Sequence, residues 1–198
     1  MILPNQLTVL RIILTPVFLL LFLSGNPLMI QISLGVFIIA AITDWYDGWL
    51  ARKFNYITEW GKFMDPLADK ILTSTAFLGL VFVGILELWM VLLIIIRDLL
   101  ITILRLFADY RKVSFTTSLS AKWKTFIQIA FLYYLLLIYT AQTVDWLTVN
   151  YENLFYYLLH AEIIYYVMLV ITLFTVFTGV TYIISNRILI KQLFRYRH

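Results

Sequence analysis

Six long apolar segments, separated by short polar connections, constrain this chain more than any other feature of its sequence. They occupy residues 7–23, 28–51, 66–83, 89–108, 125–144 and 163–190. A helix of about 20 predominantly apolar residues crosses the hydrocarbon core of a bilayer. Because 63% of the 198 residues are hydrophobic and only 13% are charged, a soluble globular domain is excluded. The sequence therefore predicts an all-α integral membrane protein with six transmembrane helices, organised as one membrane-embedded domain over residues 1–198.

The lysines and arginines of the connections lie on one side of this predicted topology. The connections after the second and fourth segments are basic, as is the tail after the sixth, whereas those after the first, third and fifth contain neither residue. Basic loops stay in the cytoplasm, so both termini are predicted to be cytoplasmic. The net charge of +4 fits a protein beside anionic lipid headgroups. Basic residues spread over membrane loops do not predict a nucleic-acid partner.

Four aspartates interrupt the apolar pattern between positions 44 and 69. Asp44 and Asp47 share one face at the end of the second segment, and Asp65 and Asp69 share one face of the next helix. An isolated aspartate inside a membrane costs roughly 2.5–3.5 kcal/mol, and several in one crevice also repel each other. A bound cation offsets that cost, and all-oxygen ligands in a chain without cysteine suit Mg²⁺ or Mn²⁺. The pattern predicts a divalent-metal site at the cytoplasmic edge of the membrane, although each aspartate alone is also compatible with a solvated helix end.

Small residues and an arginine accompany the first pair of aspartates. Gly48 and Ala51 lie on the same helix face as the aspartates, and Arg52 follows directly. Small residues also let membrane helices pack closely, so packing alone is one interpretation. On a carboxylate face they would instead let a phosphorylated ligand approach the backbone, where an arginine can bind its phosphate. Metal ligands, small residues and an arginine at headgroup level together indicate phosphoryl transfer on a lipid.

These residues match a known signature at every fixed position. The pattern is Asp44-x2-Asp47-Gly48-x2-Ala51-Arg52-x8-Gly61-x3-Asp65-x3-Asp69, and on it the chain resembles the CDP-alcohol phosphatidyltransferase family. The resemblance implies an enzyme that displaces CMP from a CDP-linked lipid with an alcohol, using two divalent ions (Mg²⁺ or Mn²⁺), and it suggests a homodimer. It assigns metal binding to Asp44, Asp47, Asp65 and Asp69, a further role as general base to Asp69, and binding of the CDP-lipid to Gly48, Ala51, Arg52, Gly61, Asn5 and Thr8.

The acceptor alcohol has to be inferred from other polar groups. The fourth segment carries a stripe of them, with Arg97 beside it: Asp98, Thr102, Arg105 and Asp109. Lys122 and Lys124 precede the fifth segment. One interpretation is an ion-pair ladder between helices, and for the two lysines ordinary headgroup contact is equally open. The other is a wet cavity whose basic groups Arg97, Arg105, Lys122 and Lys124 bind the phosphate of an anionic acceptor.

Four further stretches resemble one branch of that family, the bacterial phosphatidylglycerophosphate synthases. They are Pro4-Asn5-Gln6-Leu7-Thr8-x2-Arg11, Met64-Asp65-Pro66-Leu67-Ala68-Asp69-Lys70, Arg97-Asp98 with Arg105, and Ala121-Lys122-x-Lys124-Thr125. The resemblance implies CDP-diacylglycerol as donor, sn-glycerol 3-phosphate as acceptor, and a multi-pass protein of the bacterial inner membrane with its site facing the cytoplasm. Asp98 stands where that branch has glutamate and Ala121 where it has glycine. Two related alternatives therefore stay open: a cardiolipin synthase that uses phosphatidylglycerol, and an inositol-phosphate transferase. An ion-coupled transporter is disfavoured because the carboxylates lie near one interface and no repeat is visible.

Two further stretches receive structural interpretations. The aromatic-rich stretch 145–159 is predicted to be a loop. In the sixth segment, a stripe of small and hydroxylated residues is predicted to serve helix packing: Thr172, Thr175, Gly179 and Tyr182.

Overall fold

A computed structural model describes residues 3–54, 59–111, 113 and 119–190 of the chain. Within these ranges there is no strand. The helices run α1 Leu3–Phe22, α2 Pro27–Phe54, α3 Glu59–Phe82, α4 Leu88–Tyr110, α5 Leu119–Gln142, α6 Asp145–Leu158 and α7 Ala161–Ser185. The all-α prediction is confirmed.

Four of these helices, α1, α2, α5 and α7, have the length and apolar composition of membrane spans. Helices α3 and α4 are as long, but they carry too many charged residues to be counted with these four. Those charges include two of the predicted metal ligands, Asp65 and Asp69, and two of the predicted acceptor residues, Arg97 and Arg105. The protein is therefore an all-α membrane protein, and the span count of six stays a prediction for α3 and α4.

Glycines with positive φ lie in two of the short connections between helices. Gly25, with φ of 70°, lies between α1 and α2, and Gly84, with φ of 80°, lies between α3 and α4. Only glycine adopts such angles without steric cost. Pro27 then opens α2, where its missing N–H leaves no helical bond unmade. These tight turns place α1 directly against α2, and α3 directly against α4.

The segment 145–159, predicted to be a loop, is a helix over most of its length. Helix α6 spans Asp145–Leu158, with a kink at Tyr151, where φ is −131°. The hydroxyl of Tyr134 in α5 donates a hydrogen bond to the carbonyl of Leu158 at 2.7 Å, which fastens the end of α6 to α5. The loop prediction was wrong because the segment lacks the long apolar run that marks the other helices.

An aromatic core joins α1, α2 and α5. The buried rings of Phe18 and Phe37 lie 5.2 Å apart, and the buried ring of Phe22 lies 5.3 Å from that of the half-buried Tyr139. Helix α1 packs on α2 and α3, α3 packs on α4, and α4 packs on α7. This arrangement brings the N-terminal half of α1, the C-terminal end of α2 and the N-terminal half of α3 to one end of the protein.

Candidate active site

Arg11 of α1 lies between the two aspartates of α2. Its Nη2 donates a hydrogen bond to Oδ2 of Asp47 at 2.6 Å, and its Nη1 lies 2.7 Å from Oδ1 of Asp44. The Arg11 and Asp47 side chains are buried, whereas that of Asp44 is 45% exposed. Charge-assisted contacts of this kind are strong where water is excluded. The guanidinium therefore ties α1 to α2 and offsets part of the negative charge there.

The aspartates of α3 have partners on α1 and on their own helix. The hydroxyl of Thr8 donates to Oδ1 of Asp65 at 2.5 Å, and Nζ of Lys70 lies 3.4 Å from Oδ2 of Asp69. Asp44 is within electrostatic range of both Asp65 and Asp69. The structure thus brings the four predicted carboxylates to one region, where α1 contacts both pairs.

The chemistry of this donor set fits a hard divalent cation, since every predicted ligand is a carboxylate oxygen. Among the described residues, however, no three acidic or histidine side chains converge closely enough to hold an ion. Arg11 occupies oxygens of Asp44 and Asp47, and Thr8 occupies one of Asp65. Metal binding therefore requires these carboxylates to turn from their internal partners toward a common point.

The predicted CDP-lipid residues are only partly described. Thr8 is fully buried, and Gly61 is buried near the start of α3. Gly48 and Asn5 are half-buried, on α2 and α1. The side chains of Ala51 and Arg52 lie outside the described residues, so the predicted arginine contact to a phosphate stays a prediction.

A cavity of about 610 Å³ lies beside Asp69, between α3, α4, α5 and α7. It brings Asp69 together with three of the four predicted acceptor residues, Arg97, Arg105 and Lys122. The basic residues of its wall are Lys62, Lys70, Arg97, Arg105 and Lys122, and the acidic ones are Asp69, Asp98 and Asp109. The wall is therefore basic overall, and both of its arginines come from α4.

Lys124 is not part of this wall. It is 1% exposed, and its Nζ donates to Oδ1 of Asp98, which also accepts a hydrogen bond from Nη1 of Arg97 at 2.9 Å. The amide of Gln128 lies 3.3 Å from the other oxygen of Asp98. The ion-pair ladder that the sequence left open thus exists for Lys124, Asp98 and Arg97, while Arg105 and Lys122 are exposed at the cavity.

Three contributors to this region were missed by the sequence interpretation. Arg11 contacts the aspartates, Gln128 contacts Asp98, and Tyr182 of α7 lines the cavity with its ring centroid 5.9 Å from the Arg105 guanidinium. A signal existed for Arg11, since a charge inside an apolar segment requires a partner. Gln128 carries no comparable signal, and Tyr182 was assigned to helix packing with the rest of its stripe.

Comparisons with known proteins agree on one family. A family model described as CDP-alcohol phosphatidyltransferase matches residues 1–177. The CDP-diacylglycerol–glycerol-3-phosphate 3-phosphatidyltransferase of Rickettsia typhi is 42% identical over 126 residues, which cover 64% of this chain and 71% of the relative. The protein of that name from Bacillus subtilis is 39% identical over 139 residues, covering 64% and 72%. A probable phosphatidylglycerophosphate synthase of Mycobacterium tuberculosis is 43% identical over 129 residues, covering 64% and 61%.

Replacing Arg11 tests its role as the internal partner of the aspartates. We expect Arg11→Gln to lower the free energy of unfolding by about 3 kcal/mol in a chelator, because Asp47 then remains buried without its counter-ion. Mg²⁺ should restore part of the loss by supplying positive charge to the same carboxylates. Thermal unfolding in detergent, with the exposed Arg187→Gln as matched control, measures both effects. Unfolding of Arg11→Gln at the wild-type temperature in chelator would contradict this role.

The two lysines of α5 give a matched pair for stability. Lys124→Met should lower the free energy of unfolding by about 2–3 kcal/mol, since it removes a buried partner of Asp98. Lys122→Met, at an exposed position two residues away, should change it by less than about 0.5 kcal/mol. Denaturation of the two variants side by side measures the difference, and equal losses would show that Lys124 is not a structural ion-pair partner.

Proposed function

The chain belongs to the CDP-alcohol phosphatidyltransferase family, and we propose that it transfers a phosphatidyl group from CDP-diacylglycerol to sn-glycerol 3-phosphate. The products are phosphatidylglycerophosphate and CMP. The observation that carries the proposal is the basic cavity with Asp69 in its wall. The names of the relatives support the same reaction, since two of them are described as transferring to glycerol 3-phosphate.

The reaction divides between the two regions on either side of Asp69. The acceptor hydroxyl attacks the phosphorus that carries diacylglycerol; a new P–O bond forms to the acceptor, and the bond to the bridging oxygen breaks, so CMP leaves. The carboxylate of Asp69, 35% exposed at the cavity, accepts the hydroxyl proton. Asp44, Asp47 and Asp65 would, with Asp69, hold two divalent ions, Mg²⁺ or Mn²⁺. When bound, such ions neutralise a diphosphate and its leaving group.

The acceptor is argued from the charge of the cavity wall. Asp98 already has Lys124 and Arg97 as partners, so its charge is compensated within the protein. Two cations share the single charge of Asp98, so Arg97 keeps a surplus charge at the cavity, and together with the exposed Arg105 and Lys122 it suits a phosphate group. A neutral polyol or a zwitterion such as serine has no net negative charge with which to bind the basic side chains of this wall. Glycerol 3-phosphate offers both groups required, a phosphate for the basic wall and a hydroxyl for Asp69.

The location and assembly of the protein follow from the same proposal. Both glycerol 3-phosphate and CMP are water-soluble, so the site should open to the cytoplasm from the bacterial inner membrane. The basic connections after the second and fourth segments support that orientation. A homodimer is the assembly that the family resemblance suggests. Large apolar side chains exposed along the helices, such as Leu20 and Phe177, suit contact with lipid or a second copy.

An acceptor panel tests the proposed reaction. Purified protein with Mg²⁺ and CDP-diacylglycerol should release CMP with glycerol 3-phosphate, and much less with phosphatidylglycerol, inositol phosphate or serine. Mass spectrometry of the lipid product identifies the acceptor independently. Preferred use of phosphatidylglycerol or inositol phosphate would assign the chain to one of the two alternative transferases. Absence of CMP release with every acceptor would overturn the enzyme assignment.

The variant Asp69→Asn tests the proposed role of Asp69 as the general base. We expect turnover to fall by roughly 10²–10⁴-fold, because the amide accepts no proton from the hydroxyl. Binding of the CDP-lipid should change far less, since three carboxylates remain for the donor half. Turnover is measured by CMP release and donor binding by protection against thermal unfolding. A variant that keeps most of its turnover at neutral pH would remove Asp69 from the role of base.

A further inference from the structure

Gly179 of α7 packs directly against the side chain of Arg97. A Cβ placed on Gly179 would lie 2.9 Å from Cγ and 3.3 Å from Nε of Arg97, closer than side-chain atoms normally approach. Any larger residue at this position would therefore displace the arginine stem. The glycine lets α7 approach α4 closely, as small residues do in membrane helices, and at this point the approaching group is a cavity arginine.

Thr178, the neighbour of Gly179, holds the other end of the same arginine. Its hydroxyl donates to the carbonyl of Thr175 at 3.0 Å, which leaves an oxygen lone pair to accept from Nη2 of Arg97 at 3.2 Å. Thr178 is fully buried. Since Nη1 of Arg97 donates to Asp98 at 2.9 Å, the guanidinium is held from two helices at once. Its position is thus set by α7 as much as by its own helix.

Tyr182 extends this contact to the second arginine of the cavity. It lies one turn beyond Gly179, is 5% exposed, and its ring centroid is 5.9 Å from the guanidinium of Arg105. A cationic group at this distance from an aromatic ring is attracted to it. Arg97 and Arg105 are eight residues apart, roughly 12 Å along α4, and α7 contacts both.

We propose that this face of α7, formed by Thr178, Gly179 and Tyr182, positions both arginines of the acceptor cavity and so sets the affinity for the anionic acceptor. The proposal rests on the proposed function of that cavity. The family match ends at residue 177, so the three residues lie directly beyond it. They are positioning residues, since they act through Arg97 and Arg105. Sequence interpretation assigned Gly179 to helix packing, and the structure shows that the packed group is an arginine.

Gly179→Ala tests the proposal with a close control. The variant should raise the KM for glycerol 3-phosphate roughly tenfold, with kcat changed less than about twofold and the KM for CDP-diacylglycerol unchanged. Gly35→Ala in α2 adds the same methyl group to a helix interior where no atom lies within 4 Å of the new Cβ, and it should alter none of these values. Equal changes in both KM values for Gly179→Ala would mean a general packing defect and overturn the proposal.

A double-mutant cycle isolates the contact with Arg97. In an Arg97→Ala background the atoms that the new methyl group would meet are absent, so Gly179→Ala should no longer affect the acceptor KM. Persistence of its effect there would overturn the inference while leaving the cavity's function intact. If Arg97→Ala by itself leaves the acceptor KM unchanged, the proposed function of the cavity fails as well. Thr178→Val keeps the side-chain volume but removes the hydroxyl that accepts from Arg97, and it should raise the acceptor KM about threefold. This variant tests the proposal if Gly179→Ala does not fold.

Discussion

The contact of Arg11 with Asp44 and Asp47 is the interaction on which the rest of the site depends. Carboxylates among apolar helices are stable only with a partner, and a fully buried guanidinium supplies it from α1. The hydrogen bond from Thr8 to Asp65 does the same for α3. Helices α2 and α3, which carry the signature aspartates, are therefore held to α1 through the same oxygens that the proposed metal ions would use. Ligand binding and helix packing are coupled through this one set of atoms.

A second consequence concerns the two anionic substrates of the proposed reaction. A CDP-lipid and a phosphorylated acceptor repel each other, so each requires its own compensating charge. The acidic group at the ends of α2 and α3 suits cations that carry the diphosphate, whereas the cavity beside it is basic overall. Asp69 belongs to both regions, since it lies in the signature and in the cavity wall. In the proposed reaction, this position lets Asp69 act as base on a hydroxyl whose phosphate the basic wall binds.

The sequence predicted what is encoded within single helices. Hydropathy located the long helices, and spacing placed Asp44 with Asp47 and Asp65 with Asp69. Contacts between helices could not be predicted from the sequence. Periodicity shows which residues share one face of a helix, but not which other helix packs against that face. Lys124 and Lys122 illustrate this, being alike in sequence, yet one is buried on Asp98 and the other is exposed at the cavity. Gly179 was assigned to packing for the same reason, since its neighbour Arg97 is 82 positions away.

The most direct test of the account is a structure of the protein with Mg²⁺ and glycerol 3-phosphate bound. We expect the phosphate within hydrogen-bond distance of Arg97 and Arg105, and the acceptor hydroxyl beside Asp69. We also expect Asp44 and Asp47 to have turned from Arg11 toward bound metal. A phosphate held elsewhere, with Arg97 and Arg105 facing a cavity that contains only water, would contradict the proposed function.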